Sequence, residues 1–118
     1  MAKTRVAVEF GMGTSIRKQD YTGAAIRGLK DALWHNSLSI AEAFGFEKET
    51  MLVDVEIAVQ QPSAVDLTKL EKILPYGQST FKVISGGLDI TKPDGKGATV
   101  VANVAVIVSF DMERTNDQ

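Results

Sequence analysis

The run from Val100 to Phe110, VVANVAVIVSF, is apolar at almost every position and rich in β-branched side chains. A stretch that is hydrophobic on both faces and stiff at χ1 favours a strand flanked by neighbours over a half-wet edge. It predicts a central strand. Asn103 interrupts it, and it is too short to cross a bilayer as a helix.

The other elements follow from periodicity. Met51 to Gln60 alternates strictly, with Val53, Val55, Ile57 and Val59 on one side and Asp54 and Glu56 on the other, so it is a strand with one wet or partner-facing side. Arg5 to Phe10 also alternates, and predicts a half-buried strand with Val6, Val8 and Phe10 inward. Asp20 suits an N-cap. From Tyr21 to Asn36 the residues Ala25, Ile26, Leu29 and Leu33 form a helical stripe, and Gly23 and Gly28 inside it suggest close packing. Ser39 to Phe44 reads as a further turn of helix. Pro62 ends the 51–60 strand, and Val65, Leu67, Leu70, Ile73 and Leu74 mark a second helix closed by Pro75 and Gly77. Ser79 to Ile84 predicts a strand ended by Ser85-Gly86-Gly87, and Asp94-Gly95-Lys96-Gly97 a turn.

The order β-α-β-α-β-β gives an α+β two-layer sandwich: a four-stranded sheet with two helices on one face, in a single domain over residues 1–111 with a polar tail over 112–118. The 118 residues suffice for one core. The uncovered sheet face would carry Ala7, Glu9, Asp54 and Glu56 together with apolar parts of the last strand. Trp34 falls with Arg27 and Lys30 on the polar side of the first helix, and a tryptophan there favours an interface. A homo-oligomer is expected.

Several function classes are disfavoured. A formal net charge of −2 gives no basic surface for nucleic acid. There is no cysteine, hence no disulfide, thiol nucleophile or thiolate metal site, and a single histidine gives no multi-histidine centre in one subunit. His35 is read as a favourable charge at a helix C-terminus. No secretory signal pattern is present, so the expected setting is cytoplasmic, without membrane or cofactor.

Two segments carry candidate chemistry. Gly11-Met12-Gly13-Thr14-Ser15 follows a strand and precedes Arg17 and Lys18. The third glycine of a dinucleotide loop is missing, since Ile16 stands there, and no Gly-Lys-Ser/Thr follows. The segment is therefore read as a tight turn at which Gly11, Gly13, Thr14, Ser15, Arg17 and Lys18, with Gly86 and Gly87 nearby, could hold a small anion. The second candidate is Ser85 as a nucleophile, Lys18 as its base and the Gly86 and Gly87 amides as an oxyanion pocket. Glu9, Asp54 and Glu56 could also share a sheet face and hold a cation, or pair with Arg5 and Lys82 across strands.

Gly11-Met12-Gly13, Ala24-Ala25-Ile26-Arg27, Asn36-Ser37, the strand from Met51 to Val59, Val65-Asp66, Leu74-Pro75-Tyr76-Gly77 and Gly86-Gly87-Leu88 occur in an order and spacing that resembles a small family of conserved hypothetical proteins, the Lin family, with an N-terminal GxGxDxHG motif. The resemblance covers almost the whole chain and implies a fold and a site location. Ser15, Arg17 and Lys18 stand where that motif has Asp, His and Gly. A fainter similarity, in a short motif and in architecture, is to one repeat of the ring-opening amidohydrolases of the cyanuric acid hydrolase and barbiturase type. It implies a serine–lysine pair in a cleft between copies, and hence a cyclic-amide hydrolase built as a homotrimer. The expected function is a homo-oligomer binding a small anion at a subunit interface, with that hydrolase or a purely structural or regulatory oligomer as the alternatives.

Overall fold

The computed structural model describes residues 3–34, 45–74 and 77–111. Five strands form one sheet: β1 (Lys3–Ser15), β2 (Leu52–Val59), β3 (Gln78–Ser85), β4 (Leu88–Thr91) and β5 (Ala98–Asp111). Among the described residues two helices, α1 (Tyr21–Trp34) and α2 (Leu67–Glu71), complete an α+β two-layer sandwich. The strand order is β1-β5-β2-β3, with β4 also paired to β5. The chain from Val100 to Phe110 does occupy the centre: β5 is antiparallel to β1 on one side and to β2 and β4 on the other.

Burial follows the strand period. Val100, Ala102, Val104, Val106, Val108 and Phe110 of β5 are buried beneath the helices, as are Val53, Val55, Ile57 and Val59 of β2. The 52–59 alternation reads straight into the structure. β2 and β3 are parallel, so the link between them must cross over one face of the sheet. That link contains a 3-10 turn at Pro62–Ala64 and α2, which is capped by the Asp66 carboxylate accepting from the Thr68 amide at 3.1 Å. Buried Leu70 anchors α2 to the core. The Thr22 hydroxyl, which donates to the Ala64 carbonyl at 3.3 Å and accepts from the Asp66 amide at 2.8 Å, fastens the crossover to α1.

Four expectations need correction. First, the sheet has a fifth strand, β4. After β3 the chain passes the end of β2 and joins β5, and Gly86-Gly87 is where it crosses. Gly87 has φ +64°, and a β-carbon there would lie 2.3 Å from the Val101 carbonyl oxygen and 2.8 Å from that of Ala58. Only glycine fits so close a passage of three backbones. Second, α2 is a five-residue helix, shorter than the apolar spacing over 65–74 suggested.

Third, Gly11–Ser15 is not a turn. β1 runs unbroken to Ser15, and the chain reverses only over residues 16–20. Fourth, β1 presents the opposite face to the one expected. Its register against β5 slips between Arg5 and Ala7, so Val6 is an extra residue. Because side chains alternate with period two, one inserted residue turns over everything that follows it. Ala7, Glu9, Gly11, Gly13 and Ser15 therefore point to the helix side, while Val8, Phe10, Met12 and Thr14 lie on the open side. The supposed carboxylate cluster is split accordingly: Asp54 and Glu56 face the open side and Glu9 the other. Asp54 is paired with Lys3 at 2.7 Å, rather than with Arg5 or Lys82, and accepts from the Thr80 hydroxyl.

The slip explains the glycines. A β-carbon on Gly11 would stand 2.2 Å from the Gly28 carbonyl oxygen, and one on Gly13 2.1 Å from that of Ala24. The backbone of α1 lies directly on the backbone of β1, with no side chain between them. Gly28 on the helix completes this contact, as its position inside the helical stripe suggested. The expected helical turn over 39–44, the side chain of Trp34, His35 and the 112–118 tail lie outside the described residues.

Candidate functional site

The reversal between β1 and α1 is fastened at several points. Ser15 is buried, and its hydroxyl accepts from the Asp20 amide at 3.0 Å, closing the loop on itself. Asp20 then caps α1: its carboxylate accepts from the Gly23 amide at 2.9 Å, and its carbonyl from the Ala24 amide at 3.0 Å. This is the N-cap role read from the sequence. Gln19 takes a left-handed φ of +50°, unusual for a residue with a side chain. Its amide holds it there, accepting from the Ala98 amide at 3.2 Å and donating to the Tyr21 hydroxyl at 3.3 Å. Lys92, from the β4–β5 hairpin, donates to the Arg17 carbonyl at 3.0 Å.

Between these fixed points the loop raises Arg17 and Lys18 into solvent. Beside them is a cleft of about 400 Å³ lined by Thr14, Ser15, Ile16, Arg17, Lys18, Asp20 and Arg27. Arg27 comes from the second turn of α1 and donates to the Thr14 carbonyl at 2.7 Å, so its guanidinium is a fixed wall. Three cationic side chains thus stand around a cleft whose one carboxylate, Asp20, is already engaged by the helix. Such an arrangement favours a negatively charged guest.

Of the site residues expected from the sequence, Thr14, Ser15, Arg17 and Lys18 line this cleft. Gly11 and Gly13 do not; they are spent on the contact with α1. Ser85, Gly86 and Gly87 do not line it either. Ser85 ends edge strand β3 and Lys18 follows edge strand β1, so three strand intervals, roughly 14 Å, separate them laterally within one chain. The Gly86 and Gly87 carbonyls accept from the Gln60 side chain, and the Gly86 amide donates to the Val59 carbonyl.

Sequence reasoning missed Arg27, Gln19 and the pair behind the loop, Tyr21 and Asp89. Tyr21 is buried at the start of α1 and donates its hydroxyl to the Asp89 carboxylate. Burial, then the Asp89 partner, raises the Tyr21 pKa above that of an ordinary phenol. The other Asp89 oxygen is buried with no hydrogen-bond partner among the described residues. The alternation in Leu88-Asp89-Ile90 carries the signal for an inward aspartate, but it is too short to stand out. Among the described residues no group of three or more His, Asp or Glu side chains is placed to hold a metal ion. No helix among them is long and apolar enough to cross a membrane.

Fold and site together define a two-layer α+β protein whose first helix lies bare on its first strand, beside a cationic cleft. The chain belongs to the Lin0512 family of conserved hypothetical proteins, whose description matches residues 5–108. It is also similar to a solved structure, an FtsZ-like protein of unknown function from Nostoc punctiforme PCC 73102. The two share 32% identity with a TM-score of 0.83, over 93% of this chain and 98% of that one. A comparison with curated proteins gave no match.

Proposed function

We propose that this chain binds a small anion in the cleft at the β1–α1 reversal and acts as a homo-oligomer with that cleft at a subunit boundary. The observation that carries the proposal is the convergence of Arg17, Lys18 and Arg27 on one cleft of about 400 Å³, presented by a loop pinned at Ser15, Arg17 and Gln19. Pinning matters because a preorganised cation loses less entropy on binding. The volume sits near the small end of ligand pockets, which suits a phosphate or a small carboxylate better than a dinucleotide. The boundary part rests on Ile16, an apolar cleft residue that is 64% exposed.

The test is thermal unfolding against increasing phosphate, sulfate or citrate. A specific site gives stabilisation that rises with the logarithm of free anion once the anion exceeds Kd, amounting to about 2.7 kcal/mol at a hundredfold excess. Sulfate and phosphate also stabilise proteins by exclusion, without a site. The Arg17→Ala/Lys18→Ala double variant separates the two: it should lose the logarithmic part and keep the linear one. An unchanged logarithmic shift in that variant overturns the anion site. A wild type that shows only the linear shift overturns the site and leaves a structural or regulatory oligomer. The ring-opening hydrolase reading needs two copies to bring Ser85 to Lys18, and no observation favours it.

A further inference from the structure

We propose that the open face of the sheet is the surface on which a second copy of this chain docks, face to face. The inference rests on the oligomeric part of the function proposed above and is independent of the anion. The face carries large apolar side chains that nothing among the described residues covers: Phe10 is 70% exposed, Met12 57%, Leu88 59%, Ile90 55% and Ile84 38%. Together they expose on the order of 500 Å², near the upper end of what a monomer usually shows in one patch. The half-buried residues between them extend the face towards the ~800 Å² that each partner gives to a standard interface.

The shape is complementary to itself. Phe10 stands on β1 and Ile84 on β3, at opposite edges of the sheet, and between them runs a groove of about 290 Å³ floored by Ala58 and Ala105. A two-fold axis lying between the sheets and parallel to the strands exchanges the edges. It sets Phe10 of one copy over the groove of the other, beside the partner's Ile84, and the reverse contact forms by symmetry. The charges agree. Lys3 is paired with Asp54, and Glu56 lies in register with Lys82, so the face brings both signs in equal number to its own image.

The free edge of β1 offers a poorer route to a partner. Its outward Met12 amide donates to Asp31 at 3.0 Å, and its outward Thr14 carbonyl accepts from Arg27 at 2.7 Å. Two of the backbone groups that a docking strand would use there are thus already occupied.

Sedimentation velocity at micromolar concentration decides the matter, using the wild type, Phe10→Glu, Leu88→Glu and, as a control on the helix side, Lys30→Glu. The wild type and Lys30→Glu should sediment as an assembly. Phe10→Glu and Leu88→Glu should fall to the mass of one chain with an unchanged circular dichroism spectrum. Should one of these two unfold, the other, on a separate strand, carries the reading. A wild type that sediments as a single chain overturns both this inference and the oligomeric part of the proposed function. A wild-type assembly that both face variants leave intact overturns the face alone.

Discussion

Alanine at position 11 or 13 would drive a methyl group into the main chain of α1, at 2.2 or 2.1 Å from a carbonyl oxygen. Backbone cannot step aside as a side chain can, so each substitution should cost about 1–3 kcal/mol or more, read as a lower urea midpoint at constant m value. Gly28→Ala meets the end of a side chain instead, Val104 Cγ2 at 2.7 Å, and should cost less. Tyr21 makes a prediction in pH. Its folded pKa lies above the unfolded value of 10.0, so its contribution to stability is fully present below pH 10 and is lost as pH rises through the folded value. Above pH 10 the wild type should therefore lose stability more steeply than Tyr21→Phe, measured by denaturant unfolding at fixed salt. The sequence marks Gly11 and Gly13 as special, because a close backbone approach needs glycine. It does not say what approaches, and a ligand and a helix leave the same trace.

Elements were legible where one strong period acts alone. β2, β5 and the start of α1 at its Asp20 cap stand where alternation and capping put them. β1 failed on one residue: the extra Val6 reverses the facing of Val8 and Phe10 without disturbing their spacing. A bulge is invisible to periodicity because hydrophobic residues lie on both sides of it, and only the pairing partner reveals the slip. β4 is too short for a period to show, and its place depends on the crossing at Gly86-Gly87. At this scale α1 also protects the sheet, through Arg27 and Asp31 one turn apart, each capping an outward group of β1. Asp31→Ala should leave the free energy of unfolding within about 1 kcal/mol of wild type while raising the rate of aggregation at 37 °C followed by light scattering. Asp31→Asn, which keeps an acceptor, should aggregate less.

For the whole molecule, the two-layer class and the one-sided coverage by helices were legible, because the uncovered alternation of β2 predicts an open face. The identity of that face's apolar residues was not, since the bulge decides it. The two proposals make a joint prediction. The Arg17→Ala/Lys18→Ala variant should keep the assembled mass, whereas Phe10→Glu should weaken the logarithmic anion shift if the cleft lies at the boundary. The position of β5 also bears on time. It is the last strand described, yet β1 and β4 hydrogen-bond to it alone and β2 depends on it for its second partner. During synthesis the earlier strands emerge before the one that joins them, so the sheet cannot close until β5 leaves the ribosome. Until then β1 has no strand to pair with and the 52–59 strand has β3 alone, so the partly made chain holds apolar segments open to aggregation.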